Sequence, residues 1–437
     1  MNDKDQLSSS IPNLKLGHDI PEDELSYCIE EITQEAVSFQ NKKDFLKALA
    51  QKGETYEEFS IFIREFRKMS IDPELHEFAP NAIDLCGTGG DKAHSFNIST
   101  FVSFIVASAG VPVIKHGNRS ISSRCGSADL IEAIGIPLNP PVEMIRECMK
   151  SLNYTFLFAP HFHPAFKHIA PVRKVLAEEG IITIFNLLGP TINPAKPAYQ
   201  LLGVFDPNYL SKIGKALTSN NVKAGLVVHG KVNDSNIGGV DELTVCGENQ
   251  VFGIGELAMK QIERWQPERW QVKSGDFSDL GGGDLAENLQ IMRSLLKGNA
   301  PDSLRNTVLV NASTALWIQG KCASLEEGIE LADSLLINGK VEQWLEKVSD
   351  FFEKTQDLEP IKRYIYSCIG WKRKTYVKHR SKGFKGLFPG NMGLVEVSVL
   401  AGMLIKYEED FILCSQIENA LKLIPDVAKP KFKNNLK

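Results

Sequence analysis

Between Pro21 and about Met69 apolar residues recur at helical spacing, first as Leu25, Cys28, Ile29 and Ile32, then as Phe45, Leu46 and Leu49, then as Phe59, Ile61, Phe62, Ile63 and Phe66. Positions three and four apart share one helix face, so this pattern predicts three short helices. Gly53-Glu54-Thr55 separates the second from the third, and Thr55 with Glu58 has the spacing of a capping box. The pattern then changes. Ile83 to Cys86 is a short apolar run that predicts a buried strand, and Gly87, Gly89 and Gly90 follow where the chain must turn tightly. Asn97, Ser99 and Thr100 precede an apolar segment with helical spacing, and Val142, Ile145, Met149 and Leu152 predict a further helix. Gly180 to Asp206 reads as an apolar strand, a Gly-Pro turn and a second apolar strand, and Ala224 to His229 as another strand followed by a polar loop.

Composition adds bounds to this picture. A chain of 437 residues, 43% hydrophobic and 24% charged, buries a full core and divides into two or more domains. The balance of 49 basic and 54 acidic residues gives a net charge of −5, too mild to argue for a nucleic-acid or membrane surface over the whole chain. The start, MNDKDQLSSSIPN, lacks the apolar core of a signal peptide, and the apolar run near Phe101 to Ile114 is broken by Ser103, Ser108, Gly110 and Pro112, so a cytoplasmic protein is expected. Cysteines 28, 86, 125, 148, 246, 322, 368 and 414 stand far apart, which suits reduced thiols rather than a metal cage or disulfide framework. The chain shows no internal repeat.

Candidate chemistry concentrates between Ala82 and Leu130. Glycines after a strand let a ligand approach the backbone, and Asn97, Ser99 and Thr100 lie where the orphan N–H groups and positive end of a helix meet an anion. Lys115, His116, Asn118, Arg119, Ser120, Ser122 and Ser123 add cationic and hydroxyl donors suited to a phosphorylated ligand. GTGGD alone does not separate a phosphate loop from a plain turn. It matches neither the dinucleotide fingerprint nor the nucleoside-triphosphate loop. Further on, His161, His163, Lys167, His168 and Arg173 cluster, but a metal reading of the histidines lacks further close ligands. The adjacent Asp241 and Glu242 are either solvated surface or, beside a diphosphate, the hard oxygen donors that Mg²⁺ requires.

GTGGD, NIST and KHGNRSISS together resemble the anthranilate phosphoribosyltransferase family, among the nucleoside-phosphorylase-like phosphoribosyltransferases. The similarity runs from about Leu25 to Phe352 and includes TIFNLLGP and the segment NASTALWIQG near the end. It implies an α/β fold with a small N-terminal helical domain (21–78, completed by helices near 141–176) and a larger α/β sheet domain (80–352). It also implies magnesium-dependent transfer of phosphoribose from phosphoribosyl diphosphate to anthranilate, in tryptophan biosynthesis, by a homodimer.

By the same resemblance, phosphoribosyl diphosphate is held by Gly87, Gly90, Asp91, Ser95, Asn97, Ile98, Ser99, Thr100, Lys115, His116, Gly117, Asn118, Arg119, Ser120, Ser122, Ser123 and Ser127. Anthranilate lies against Gly87, Asn118, His163 and Arg173, where the planar guanidinium of Arg173 suits a benzoate carboxylate. Mg²⁺ is held by Ser99, Asp241 and Glu242, with Asp91 nearby. No protein nucleophile or general base is implied. The sequence departs from the family at Lys92 and Ile182, in the segment after Arg173, and in the longer turn of residues 231–239.

Two other readings stand beside this one. A pyrimidine-nucleoside phosphorylase would use inorganic phosphate, and KHGNRSISS with the arginine of HPAFKHIAPVR argues against it. A noncatalytic nucleic-acid binder has only the basic, aromatic stretch from Lys362 to Lys385 in its favour. That stretch belongs to an extension, 353–437, without counterpart in the family core. Its apolar segment, Leu394 to Leu404, is expected to fold against the catalytic body or a partner chain.

Overall fold

A computed structural model describes residues 6–91, 93–119, 124–232 and 237–358, with side chains to residue 352. Lys92, Ser120, Ser122, Ser123, residues 233–236 of the 231–239 turn and nearly all of the 353–437 extension therefore lie outside the described residues, along with what the sequence suggested for them.

The N-terminal helices follow from the apolar spacing. They are α2 (Glu22–Thr33), α3 (Phe39–Lys52) and α4 (Tyr56–Lys68), preceded by α1 (Gln6–Lys15), which the sequence reading did not anticipate because only Leu7, Ser10 and Leu14 of it are buried. At the head of α4 the capping box is complete: the Glu58 N–H donates to Thr55 Oγ1 (3.2 Å) and the Thr55 N–H to Glu58 Oε2 (3.0 Å). The same Glu58 carboxylate accepts the Ile20 N–H (3.1 Å) and pairs with the buried Lys52 ammonium at 2.7 Å, so one side chain ties three segments together.

The sheet begins with β1 (Ile83–Gly87), then α5 (Ile98–Ser108), β2 (Val113–Gly117), α6 (Ser127–Ala133), α7 (Val142–Leu152) and β3 (Tyr154–Phe158). Short α8 (Ala159–Phe162), α9 (Ala170–Glu178) and α10 (Phe185–Leu188) lead to β4 (Tyr199–Gly203), α11 (Leu210–Ser219), β5 (Ala224–Lys231), β6 (Gly239–Val240), β7 (Asn249–Gly255) and β8 (Glu263–Trp265). The strand order is β3-β2-β1-β4-β5-β7-β8, with β6 on the end of β5. The first five of these strands run parallel, and β7 and β8 are antiparallel. Helices α12 (Leu285–Leu296), α13 (Asp302–Ile318), α14 (Leu325–Ile337) and α15 (Lys340–Leu358) follow. Residues Met1–Ser349 form one compact unit.

One expectation is corrected. The first half of Gly180–Asp206 is not a strand: Phe185–Leu188 is helical and Gly189–Thr191 is a 3₁₀ turn, so only Tyr199–Gly203 is extended. A short apolar run does not distinguish strand from buried helix by spacing. Here the Asn186 side chain accepts the Thr183 N–H (2.9 Å), and the Ile184 carbonyl accepts the Leu187 and Leu188 N–H groups, both at 3.0 Å. These bonds start a helical turn, and Pro190, lacking an N–H, cannot donate to a ladder.

Alternation along the parallel strands gives the sheet two apolar faces. One core joins the N-terminal helices to α9, α10, α11 and one face of the sheet, with Phe185 set edge-on to Phe62 (6.3 Å) and Phe66 (5.5 Å). On the other face α5 and α13 meet Leu85, Leu201 and Val228 around a small internal cavity. Cys86, Cys148, Cys246 and Cys322 are free thiols. Among the described residues, no helix is long and apolar enough to cross a membrane.

Thr55→Ala should lower stability by about 1 kcal/mol, the usual worth of an N-cap. Glu58→Ala should cost about 3 kcal/mol, since it leaves Lys52 with the exposed Asp19 as its one carboxylate among the described residues, beside the Gly53 carbonyl. Urea midpoints of the two variants check this order, and equal midpoints would show that Glu58 does no more than cap.

Candidate active site

From β1 the chain runs outward to β2 and β3 on one side and returns to β4 on the other, which makes the β1–β4 boundary the topological switch point of the parallel sheet. Ligands of such sheets lie outside the carboxyl ends of the strands at that place. Both strands end there in glycine, Gly87 and Gly203, paired in register. Against them lies Asp241. A Cβ on Gly203 would stand 1.5 Å from the Asp241 carbonyl oxygen, and one on Gly87 would stand 2.2 Å from its Oδ2. These glycines are there because another chain segment occupies the space of a side chain.

Glu242 follows Asp241 into the site because the next residues are pinned. Asn311 of α13 accepts the Leu243 N–H (3.2 Å) and donates to its carbonyl (2.7 Å), and Asn249 does the same for Thr244 at 2.8 Å each. The Asp241 carboxylate accepts the Gly89 N–H at 2.7 Å, and Glu242 Oε1 accepts the Ser99 N–H at 3.1 Å in the first turn of α5. Asp91 accepts the Ala93 N–H (3.0 Å) and, weakly, the Asp241 N–H (3.5 Å). Positive φ at Gly89 and Gly90, +65° and +81°, folds the loop over this group.

Asp91, Asp241 and Glu242 thus stand together at the head of α5, although 150 residues of chain separate the first two. Burial and then repulsion from Asp91 push the Asp241 carboxyl well above its usual range, and burial pushes Glu242 up to about 7, against the pull of Lys115. Lys115 is buried, donates to the Leu85 carbonyl and reaches Ser99 Oγ at 3.3 Å. Negative charge is therefore in excess. Among the described residues no three His, Cys, Asp or Glu side chains form a ready-made metal cage. A hard cation with incomplete protein ligation, its remaining positions filled by a phosphorylated ligand, fits this donor set.

The other predicted residues fall into three groups. Asn97 is the N-cap of α5 and donates to Cys125 Sγ (3.5 Å); Ile98 and Thr100 are buried in that helix; Ser95 bridges to Gly281. Beyond Gly117, Asn118 holds the start of α6 by accepting from Ser127 Oγ at its carbonyl (3.0 Å), with Ser127 as first helical residue. Arg119 is engaged by Asp129 and by Glu132 (2.8 Å), so its guanidinium is turned to α6 rather than to the carboxylate group.

Among the residues that the resemblance sets against anthranilate, His163 meets His116, the rings 5.0 Å apart and both buried. Burial holds the His116 imidazole well below its ordinary pKa and lowers His163 to about 4, so both are neutral. Arg173 lies over the rings of Phe166 (5.8 Å) and Phe185 (5.6 Å) and reaches only the Phe185 carbonyl, at 3.3 Å. Among the described residues it has no carboxylate partner, and burial lowers its pKa. It is a cation prepared for an anion.

The sequence reading missed Asp84, Asn193, Asn249 and Asn311, which place the site without belonging to its motifs. Asp84 left a signal, being an acid inside an apolar strand; the buried asparagines left none that spacing could separate from surface residues.

The glycosyl transferase family a/b domain matches residues 79–342. Anthranilate phosphoribosyltransferase of Alkaliphilus metalliredigens is 38% identical over 355 residues, covering 81% of this chain and 99% of that protein. This chain belongs to the anthranilate phosphoribosyltransferase family. The crystal structure of the Thermus thermophilus enzyme of that name is 37% identical, with TM-score 0.70 over 78% of this chain and 99% of the other. The Saccharomyces cerevisiae anthranilate phosphoribosyltransferase, solved in complex with PRPP and Mg, has the same fold at 22% identity and TM-score 0.68, covering 80% and 98% of the two chains. This member of the anthranilate phosphoribosyltransferase family therefore carries its half-buried carboxylates on a fold shared across distant relatives.

Gly203→Ala should cost about 3 kcal/mol, as an overpacked backbone contact does, and shift Asp241 in a crystal structure. Gly189→Ala, whose Cβ would meet nothing within 4 Å, should stay within about 0.5 kcal/mol of the parent. Equal denaturation midpoints for the two variants would contradict the close approach of Asp241.

Proposed function

We propose that this protein transfers the phosphoribosyl group of phosphoribosyl diphosphate to the amine of anthranilate, giving N-(5-phosphoribosyl)anthranilate and diphosphate. Family membership supports the reaction. The observation that carries the site is the gathering of Asp91, Asp241 and Glu242 at the switch point, beside the glycine loop and the first turn of α5. Here the Gly87–Gly90 loop, which has no side chain at three of its four positions, lets the donor's phosphates approach the backbone, and the positive end of α5 binds them, aided by Lys115 and Asn118. Ser99, Asp241 and Glu242 would hold Mg²⁺, with Asp91 alongside; when bound, it supplies the positive charge that offsets the departing diphosphate.

The chain's own groups do the rest by positioning. As the bond between the anomeric carbon and diphosphate breaks, the ribosyl centre gains oxocarbenium character, and the aromatic amine forms the new C–N bond and releases a proton. Arg173 pairs with the anthranilate carboxylate, and Gly87 and Asn118 flank the acceptor beside the neutral His163. No protein nucleophile enters. The helical segment (21–78) then supplies one wall of the acceptor site, and the exposed Tyr27 and Phe39 support a homodimer formed through it.

Release of diphosphate from phosphoribosyl diphosphate in the presence of anthranilate and magnesium tests the reaction, and its absence in folded protein would overturn it. Arg173→Ala should raise the acceptor KM about thirtyfold, the worth of one charge-assisted bidentate pair, with donor KM nearly unchanged. Equal effects on both substrates would move Arg173 out of the acceptor site. Magnesium affinity should rise with pH between about 6 and 8, because Glu242, half protonated near 7, must lose its proton to bind the cation. A flat affinity across that range in direct magnesium titrations would remove Glu242 from the metal.

A further inference from the structure

The strand pair that carries both phosphate-binding loops is only partly zipped. Between β1 and β4 all residues from Ile83↔Tyr199 to Gly87↔Gly203 pair in register, and between β2 and β3 all from Val113↔Tyr154 to Gly117↔Phe158 do. Between β1 and β2 only Ile83↔Val113 pairs. Beyond it side chains take over the ladder. The His116 N–H donates to Asp84 Oδ1 at 3.2 Å, and the Leu85 carbonyl accepts from Lys115 Nζ. In a regular parallel pair these two groups would meet backbone partners.

Asp84 is fully buried. Its second oxygen accepts from Asn193 Nδ2 (3.0 Å), which also donates to the Ile114 carbonyl (2.8 Å), while Asn193 Oδ1 accepts the Ala195 N–H (3.0 Å). The carboxylate therefore fixes β2 to β1 and to the loop before β4 at once. Its charge opposes that of Lys115 and of Arg67, a buried guanidinium whose Nε has no hydrogen-bond partner among the described residues.

We infer that Asp84 is a positioning residue for the donor substrate: by replacing a backbone carbonyl in the β1–β2 ladder, it sets the distance between the Gly87–Gly90 loop and the Lys115–Asn118 segment. This rests on the function proposed above. An asparagine in its place offers one acceptor oxygen to two donors, the His116 N–H and the Asn193 amide, so one must be lost. The segment carrying Lys115 and Asn118 then relaxes away from β1.

Steady-state kinetics of Asp84→Asn, with circular dichroism to establish folding, separate this role from others by sign. Loss of one negative charge near the donor's phosphates would by itself tighten a polyanion. Loss of position weakens it, and we expect donor KM to rise about tenfold, as for one lost hydrogen bond to a charged group, with kcat at saturation and acceptor KM within about twofold. Asn193→Ala should move donor KM the same way by a smaller factor, and it decides the matter if Asp84→Asn does not fold. A folded variant with unchanged or lowered donor KM, or with both KM values raised alike, overturns the inference. Parent protein that binds no phosphoribosyl diphosphate would instead overturn the proposed function, and this inference with it.

Discussion

The structure depends on one close approach: the backbone of Asp241 lies where a side chain on Gly203 would be, and its carboxylate where one on Gly87 would be. Two parallel strands end side by side without side chains, and a segment from far along the chain closes over them. That packing brings two adjacent carboxylates to the head of α5 and within reach of the glycine loop. Everything proposed for the donor site follows from it, since neither the loop nor the carboxylates would hold a diphosphate alone. The asparagines 249 and 311 matter for the same reason, because they fix the residues just after Glu242 by satisfying both backbone groups of their neighbours.

Charge is the second constraint. At the donor end, half-buried carboxylates face one another with Lys115 as the nearby cation, and loss of solvent first, with repulsion from Asp91 after it, raises the pKa values of Asp241 and Glu242. At the proposed acceptor end the sign is reversed, with Arg173 over two aromatic rings and no carboxylate beside it among the described residues. Under the proposed function each end is costly as it stands and less so with its ligand: a cation and diphosphate at one, a benzoate at the other. A site arranged this way spends folding stability on preorganisation, which is what stabilising a developing charge requires.

Much of this was legible in the sequence because local chemistry and local structure agree. The spacing of Phe59, Phe62 and Phe66, with Thr55 and Glu58 before them, specifies a capped helix whatever it packs against. The run ending in Gly87 specifies a strand and a turn. Asp241 and Glu242 were visible as a pair, but their meeting with Asp91 is a tertiary event that no spacing encodes. The segment around Phe185 misled because four or five apolar residues satisfy either period, and the decision fell to the side chain of Asn186. Asp84 sat inside a stretch already noted for its glycines, and its role appears only once β2 is seen to lean on its carboxylate.

The account stands or falls on the carboxylate group serving a metal-bound diphosphate. Calorimetric titration of the full-length protein with phosphoribosyl diphosphate, with magnesium and with a chelator, tests it directly. Magnesium should tighten binding by at least about tenfold, since half-buried like charges otherwise face each other, and Asp241→Asn combined with Glu242→Gln should abolish this difference. Equal affinity with and without magnesium in the parent protein would contradict it.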